Sequence, residues 1–298
     1  MGTINPDNHS PFGRFAPTRG FRRLLEFAQH APQNALGKQL AHAARSFYLW
    51  RAPLPADVTV GEMRLRCYLS DNTSERKFVF TPWRFDPMER RSMADALPAD
   101  GVFVDVGANV GIYTLWAALL LGAHGRIIAL EPYPPAFKRL MFNIEATRAG
   151  RANWPRIDAL QVGISDQDES RELHIDHGNL GGGSIADGPA RFSEGVSRTT
   201  VTIPCKPLKQ VLDECGISRI DVLKIDIEGA EDTALRPFLE EAADERLPRR
   251  LIVENSEHPC GKRICAGQSP RAAIVRLCVR ASTPSTPADR LICRARRP

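Results

Sequence analysis

The chain has 298 residues, 43% of them hydrophobic, and a formal net charge of +5 at pH 7. This length accommodates one large α/β domain of about 200 residues with appendages. No run approaches the roughly 18 apolar residues of a membrane-spanning helix, and the N-terminus lacks the apolar core of a signal peptide. We therefore expect a cytoplasmic protein. Its seven cysteines are expected to be free thiols, and because no Cys/His cluster has zinc spacing, no metal is expected.

The first hundred residues predict an appendage in front of the main domain. Residues 1–20 are rich in Pro, Gly, Asn and Ser, which is typical of a disordered segment. Residues 21–48 have apolar side chains at helical spacing, interrupted by Pro32. Residues 58–60, 63–69 and 77–80 alternate like antiparallel strands. We assign residues 21–97 to a helical and β-hairpin appendage and residues 98–259 to a core domain.

The most informative segment is residues 102–131. An apolar strand ends in Asp105, a turn runs from Gly107 to Gly111, an apolar helix follows, and a second apolar strand ends in Glu131. Open parallel sheets bind ligands outside the carboxyl ends of their strands, where the first turn is glycine-rich. The order of elements therefore predicts half of a nucleotide-binding α/β domain.

The spacing of the glycines distinguishes between possible nucleotides. A dinucleotide turn needs G-x-G-x-x-G, and Asn109 occupies the place of the middle glycine, where its side chain would crowd a pyrophosphate. S-adenosylmethionine has no phosphate; Asp105 suits its ammonium group, and Glu131 can accept hydrogen bonds from its ribose hydroxyls. The turn favours this methyl donor over NAD. Asp105 as a helix cap and Glu131 as a solvated strand end remain open.

Further along the chain, carboxylates again follow predicted strands. A helix over residues 136–149 contains Asn143, which is equally compatible with a surface amide and a contact. The third strand, residues 157–162, precedes Asp166, and the fourth, residues 222–225, precedes Asp226, Glu228 and Glu231. The fifth, residues 250–254, is followed by His258.

The segments VDVGANVG at 104–111, ALEP at 129–132, Asn143 and VLKIDIEGAE at 222–231 closely resemble the FkbM family of S-adenosylmethionine-dependent methyltransferases. The resemblance covers about residues 58–258. It implies a class I methyltransferase fold, a Rossmann-like doubly wound α/β sheet, and O-methylation of hydroxyls on sugars, polysaccharide precursors or secondary metabolites. In related methyltransferases the adenine lies near the loop after the third strand. The expected cofactor-binding residues are Asp105, Gly107, Asn109, Gly111, Glu131 and Asp166.

The acceptor hydroxyl has a pKa far above neutrality, so a nearby base is expected to accept its proton. Asp226 is the first choice and Glu228 the second, with His258 as an alternative because an imidazole titrates near neutral pH. Glu228 and Glu231 could instead stabilise the start of a helix. The carboxylates could also bind sugar hydroxyls or hold a divalent cation. Lys224, on the strand before them, could neutralise one carboxylate.

Residues 260–298 differ sharply from the rest. They contain nine basic residues and one acid, a net +8, so residues 1–259 carry −3. A basic arm could contact nucleic acid or an anionic membrane, but the abrupt change of composition favours a frameshifted or disordered tail, and no nucleic-acid partner is expected. Residues 274–279 could add a strand or a short helix.

A complete class I sheet ends in an antiparallel hairpin, whereas a clear strand pattern extends only to residues 250–254. The C-terminal strands are thus the uncertain part of the predicted fold. An NAD-dependent oxidoreductase or epimerase, and an inactive truncated methyltransferase-like protein, remain alternatives to an enzyme acting on a small-molecule or glycan acceptor.

Overall fold

The computed structural model describes residues 7–176, 179–184, 198–227, 229–255 and 276–281. The N-terminal part contains helices and a two-stranded antiparallel sheet, as the sequence predicts. Its elements are α1 (Arg19–Gln29), α2 (Ala35–Arg51), β1 (Ala56–Val60), β2 (Met63–Cys67), α3 (Thr73–Phe80) and α4 (Pro87–Ala96). The break between α1 and α2 falls around Pro32, and α2 begins where the Asn34 side chain accepts the N–H of Gly37 (2.9 Å).

The predicted strand at residues 77–80 is wrong, because these residues form the end of helix α3. The Asn72 side chain accepts the N–H of Glu75 (3.0 Å) and caps the helix. Phe78, Val79 and Phe80 are all buried. A helix that is apolar on several sides does not show the 3.6-residue periodicity, and this explains the error.

The expected disorder of residues 1–20 is also wrong for the described part of that segment. The guanidinium group of Arg66 donates hydrogen bonds to the carbonyl oxygens of Asp7, Ser10 and Pro11 at 2.8 to 2.9 Å. The same group pairs with buried Asp57 at 2.7 Å. The Asp57 carboxylate in turn accepts the N–H groups of Gly13 and Phe15. The buried pair of Arg66 and Asp57 thus satisfies backbone groups of this Pro- and Gly-rich segment and fixes residues 7–15 against the hairpin.

The second part is an α/β domain. Its elements in chain order are β3 (Val102–Val106), α5 (Ile112–Leu120), β4 (Arg126–Leu130), α6 (Pro134–Arg148), β5 (Arg156–Leu160), β6 (Gly163–Ser165), β7 (Glu169–Asp176), β8 (Asn179–Ser184), β9 (Arg198–Pro207), α7 (Leu208–Glu214), β10 (Val222–Ile225), α8 (Glu231–Glu241), β11 (Arg250–Asn255) and β12 (Arg276–Ala281).

Six of these strands form one sheet in the order β12-β11-β10-β3-β4-β5, and every neighbouring pair is parallel. From β3 the chain adds strands outward through β4 to β5, and from β10 it adds them in the other direction. The order therefore reverses between β3 and β10. In open parallel sheets this switch point is where the connecting loops diverge and leave room for a ligand.

Both faces of the sheet are covered. Phe103, Ile127 and Ala129 belong to an apolar core that includes residues of α5, α6 and the appendage, and Val104, Ile128 and Leu223 belong to a second core on the other face. Strands buried on both faces are apolar at nearly every position. For this reason the isolated polar residues at their ends, Asp105 and Lys224, are conspicuous.

After β5 the chain leaves the central sheet and forms a second one, in the order β6-β9-β7-β8. In this sheet β9 pairs in parallel with β6 and in antiparallel with β7.

At the C-terminal end, β12 pairs in parallel with β11, and Leu277 lies opposite Leu251. Of the two predicted possibilities for residues 274–279, a strand and a short helix, the strand is the one observed. The rest of the basic tail lies outside the described residues, and the frameshift remains a prediction. The fold is the expected α/β, Rossmann-like class I architecture, and its described sheet ends in a parallel strand.

Candidate active site

The glycine-rich turn between β3 and α5 lies directly against the end of β10. Gly107 and Gly111 have φ values of +75° and +92°, which glycine adopts without steric cost. A Cβ atom at position 107 would collide with the carbonyl oxygen of Asp226. The N–H of Asp226 donates to the carbonyl of Val106 (3.1 Å). A side chain at position 107 would therefore push the turn away from the predicted catalytic base.

Asn109, in the middle of the turn, has a left-handed backbone with φ of +52°. Asparagine tolerates this conformation better than most residues. Its side-chain oxygen accepts a hydrogen bond from Asn72 (3.0 Å), and its N–H donates to Glu131 (2.7 Å). Because Asn72 also caps α3, the appendage holds the turn in position. The sequence analysis did not identify Asn72, although the spacing of Asn72 and Glu75 matches a capping box.

Glu131, at the end of β4, is buried, and each of its carboxylate oxygens accepts a backbone hydrogen bond. The donors are the N–H groups of Asn109 (2.7 Å) and Tyr133 (2.9 Å). Burial raises the pKa of Glu131 to about 7, although both N–H groups and the charge of Lys224 oppose the shift. Each oxygen keeps a further lone pair. Glu131 therefore shapes the turn and retains the capacity to accept hydrogen bonds from two hydroxyls.

Asp105, at the end of β3, is fully buried. One carboxylate oxygen accepts a hydrogen bond from the Thr114 hydroxyl (2.7 Å). The other, Oδ1, has no hydrogen-bond partner in the described structure and lies 3.4 Å from the ammonium nitrogen of Lys224. A buried carboxylate oxygen without a hydrogen bond is costly, so this atom is well suited to accept one from a ligand.

Lys224 links the two strands that flank the switch point. Its ammonium nitrogen donates to the carbonyl of Gly107 (3.0 Å) and lies 3.4 Å from Asp105 and 3.8 Å from Asp226. It is also 5.2 Å from the ring centre of Tyr113. The side chain is 7% exposed, which requires compensation of its charge by these neighbours. The sequence suggested that Lys224 could neutralise one carboxylate, and its ammonium nitrogen lies within 4 Å of two, Asp105 and Asp226.

Asp226 follows β10 at the same edge of the sheet, and its side chain is 22% exposed. It is thus more accessible to an acceptor than Asp105 or Glu131. The related prediction for Glu228 falls on a residue outside the described set. Glu231 is buried and accepts hydrogen bonds from the N–H groups of Ile227 and Gly229. Glu231 thus holds the loop between β10 and α8.

The two remaining predicted site residues are not brought to this edge by any described contact. Asp166 follows β6, in the second sheet, and its carboxylate pairs with Arg171 at 3.0 Å. Its assignment to the adenine stays a prediction. His258 lies outside the described residues, so its role as an alternative base also stays a prediction.

Two further side chains connect the site to its surroundings. Asn143 is buried, and its amide donates to the carbonyl of Val110 (2.9 Å) and accepts the N–H of Arg66 (2.8 Å). Asn143 therefore connects helix α6 to the glycine-rich turn and to strand β2, and it is not a surface amide. The Tyr113 hydroxyl donates to Asp86 (3.0 Å), at the start of α4. The sequence contained no pattern that could assign Tyr113 to the site, because it lies in a continuous apolar helix.

Within the described residues, no cluster of three or more His, Cys, Asp or Glu has the geometry of a metal site. The same part of the chain has no helix that combines the length and apolarity needed to cross a bilayer.

A parallel sheet with a glycine turn and carboxylates at its switch point defines the class of Rossmann-like α/β domains. The model of the methyltransferase FkbM domain matches residues 105–263, more than half of the chain. The chain belongs to this family.

Several named proteins are similar to the chain. It is 30% identical over 195 residues to methyltransferase SdnD of Sordaria araneosa, covering 56% of this chain and 70% of that protein. It is 29% identical to the 31-O-demethyl-FK506 methyltransferase FkbM of Streptomyces tacrolimicus, covering 61% and 75%. It is 27% identical to the AMB antimetabolite synthetase AmbE of Pseudomonas aeruginosa, with 61% of this chain matching 10% of that protein. The chain thus spans only a tenth of AmbE.

A solved structure of a candidate rRNA methylase from Clostridium thermocellum overlaps 26% of this chain and 41% of its own, at 16% identity and a TM-score of 0.24.

Proposed function

We propose that the protein is an S-adenosylmethionine-dependent O-methyltransferase that acts on a hydroxyl of a sugar, a polysaccharide precursor or a secondary metabolite. The observation that carries the proposal is the juxtaposition of Asp105, Glu131 and Asp226 at the carboxyl ends of three neighbouring strands, around the turn that begins at Gly107. Transfer to oxygen is also what the name of the Streptomyces relative denotes for that protein.

The residues of the turn fit the methyl donor. Asp105 Oδ1, buried and without a hydrogen bond, is assigned to the ammonium end of the amino acid. Glu131 is assigned to the ribose hydroxyls, since both carboxylate oxygens retain a lone pair after binding the N–H groups of Asn109 and Tyr133. Gly107, Asn109 and Gly111 shape the loop that contacts it. When bound, S-adenosylmethionine supplies a methyl group on a positively charged sulfur.

Asp226 is assigned as the base that accepts the proton of the acceptor hydroxyl. Its partial exposure leaves it accessible, and the charge of Lys224 at 3.8 Å favours its ionised form. Proton transfer of this kind contributes typically about 10²- to 10⁴-fold to a rate. Holding the acceptor oxygen in line, in a site from which water is excluded, contributes more. Glu228 and His258 remain the second choices for the base.

The cofactor assignment is tested by measuring thermal unfolding with S-adenosylhomocysteine and, separately, with NADH. A ligand that binds only the folded state raises the melting temperature. We expect a concentration-dependent rise with S-adenosylhomocysteine and none with NADH. A rise with NADH alone would contradict the proposal and favour an oxidoreductase site.

The class of acceptor is tested by incubating the protein with a donor carrying a labelled methyl group and with extracts of its host. Mass spectrometry then locates the label. Label on an oxygen of a glycan or a secondary metabolite supports the proposal, and label confined to nitrogen or carbon atoms contradicts it.

A further inference from the structure

Helix α2 carries a continuous apolar stripe on its exposed side. Leu36, Leu40, Phe47 and Trp50 are 60%, 38%, 50% and 73% exposed, and exposed Ala43 lies between them. The successive spacings of four and three residues place all five side chains on one face of the helix. A different face, formed by Ala41, Ala44 and Tyr48, is buried against the rest of the protein. The main packing of α2 therefore lies on a different face from the stripe.

The aromatic residues of the stripe are arranged together. The rings of Phe47 and Trp50 have their centres 6.2 Å apart, and the ring of Phe21 from α1 lies 6.4 Å from that of Phe47. The guanidinium group of Arg51 lies 4.9 Å from the centre of the Trp50 ring. A cation therefore borders the most exposed aromatic side chain of the described chain.

The helical pair that bears the stripe is strongly basic. Residues 19–51 contain six basic residues and a single acid, Glu26, which gives a net charge of +5. The basic residues are Arg19, Arg22, Arg23, Lys38, Arg45 and Arg51. Residues 52–259, by contrast, carry a net charge of −8. The positive charge of the first 259 residues is thus concentrated in this helical pair. Arg51 lies beside the stripe, whereas Lys38 and Arg45 lie on the opposite side of α2, because two residues along a helix turn through about 200°.

These charges argue against two possible binding partners of the stripe, the C-terminal tail and a second copy of the chain. The C-terminal tail carries +8 and would be repelled. A second copy would bring two segments of +5 together. A helix of 17 residues is only about 25 Å long, and one face of it offers a few hundred Å², well below the roughly 800 Å² that each partner buries in a stable interface.

An anionic lipid surface would accommodate both the apolar stripe and the positive charge of the helical pair. Helices with Trp, Phe and Leu on one face and basic residues beside it bind in the plane of the bilayer interface. Anionic lipids attract basic residues with about 1 kcal/mol per residue near the surface. We propose that helices α1 and α2 dock the protein on anionic membranes, with the stripe of α2 at the boundary between headgroups and acyl chains.

The experiment is co-sedimentation of the full-length protein with vesicles of phosphatidylcholine, with and without phosphatidylglycerol. We expect binding to the anionic vesicles, and weaker binding as the salt concentration increases, because salt screens exposed charges. The double variant Phe47→Ser/Trp50→Ser should bind at least about tenfold more weakly. Met88→Ser is the matched control, since Met88 is 69% exposed on α4 and lies outside the stripe.

The charge variant Arg22→Glu/Arg23→Glu should also weaken binding to the anionic vesicles about tenfold or more. Both double variants should retain the stabilisation of the wild-type protein by S-adenosylhomocysteine, which shows that they are folded. Equal sedimentation of wild-type protein and variants would overturn the proposal. So would light scattering that shows a wild-type dimer and a monomeric Phe47→Ser/Trp50→Ser variant, because the stripe would then belong to a second copy.

Discussion

Two clusters of buried charge, linked through the hydrogen bond between Asn72 and Asn109, are compensated in different ways. In the cluster beneath the appendage, Arg139 donates to both carboxylate oxygens of Asp71 at 2.7 and 2.8 Å. In the candidate active site, Lys224 lies 3.4 Å from Asp105 and 3.8 Å from Asp226. A bidentate arginine fixes a carboxylate, whereas lysine is a point charge on a flexible stem.

This difference indicates which buried charges hold the fold and which leave room for chemistry. Both carboxylate oxygens of Asp71 accept hydrogen bonds from the planar guanidinium group of Arg139. The Oδ1 atom of Asp105 has only the longer ionic contact and no hydrogen bond. We therefore expect changes in the first cluster to reduce stability and changes in the second to reduce ligand binding or turnover.

The largest effect is expected from Arg139→Met. The substitution leaves the Asp71 carboxylate buried without its cation, and breaking a buried pair in this way typically costs about 3 to 5 kcal/mol. Denaturant unfolding measures the loss. Arg148→Met on the same helix is the control, because that side chain is 59% exposed and its loss should be small. Equal effects of the two substitutions would contradict the structural role of the first cluster.

In the second cluster, Asp226→Asn should lower turnover about 100-fold or more, because the amide cannot accept the proton of the hydroxyl. The affinity for S-adenosylhomocysteine should change far less. Steady-state kinetics and calorimetry measure the two quantities separately. Asp232→Asn, at the half-buried start of α8, is the control. Full activity of Asp226→Asn would show that another residue accepts the proton.

The hydrogen bond that links the clusters is tested with two helix caps. Asn72→Ala and Asn34→Ala each remove a capping side chain and should each cost about 1 kcal/mol of stability. Only Asn72 also bonds to the turn, so Asn72→Ala alone should weaken binding of S-adenosylhomocysteine. Equal affinities of both variants would show that the appendage does not position the turn.

The smallest expected effect is a pH dependence of the stability, caused by the buried carboxyl group of Glu75. Burial raises the pKa of Glu75 from its ordinary 4.5 to about 8, against the opposing charge of Arg139. The folded protein then holds a proton that the unfolded chain releases, so the stability due to this group is complete below pH 4.5 and is lost as the pH rises towards 8. Glu75→Gln should raise the melting temperature by a few degrees at pH 9. The difference should shrink as the pH falls below 8.

Exposed Glu145→Gln on α6 is the control for that titration and should leave the melting temperature unchanged at every pH. A melting-temperature difference between Glu75→Gln and the wild-type protein that does not vary with pH would show that Glu75 does not titrate in this range.

The sequence was sufficient to predict the turn, the acids at the ends of β3 and β4, and the five core strands β3, β4, β5, β10 and β11, because these features are local in the chain. It could not predict that Asn72 bonds to Asn109, or that the buried pair of Arg66 and Asp57 orders residues 7–15. Such contacts join residues distant in sequence and leave no periodic pattern. Helix α3 was mistaken for a strand because its buried residues obscure the helical period.

The central claim is that the carboxylates of Asp105 and Glu131 bind the methyl donor, and calorimetric titration with S-adenosylhomocysteine tests it most directly. Each carboxylate is assigned hydrogen bonds from the ligand, and losing bonds to a charged group typically costs about 1.5 to 3 kcal/mol. We predict that Asp105→Ala and Glu131→Ala each weaken binding at least about tenfold while the protein remains folded. Unchanged affinity in both folded variants would contradict the account.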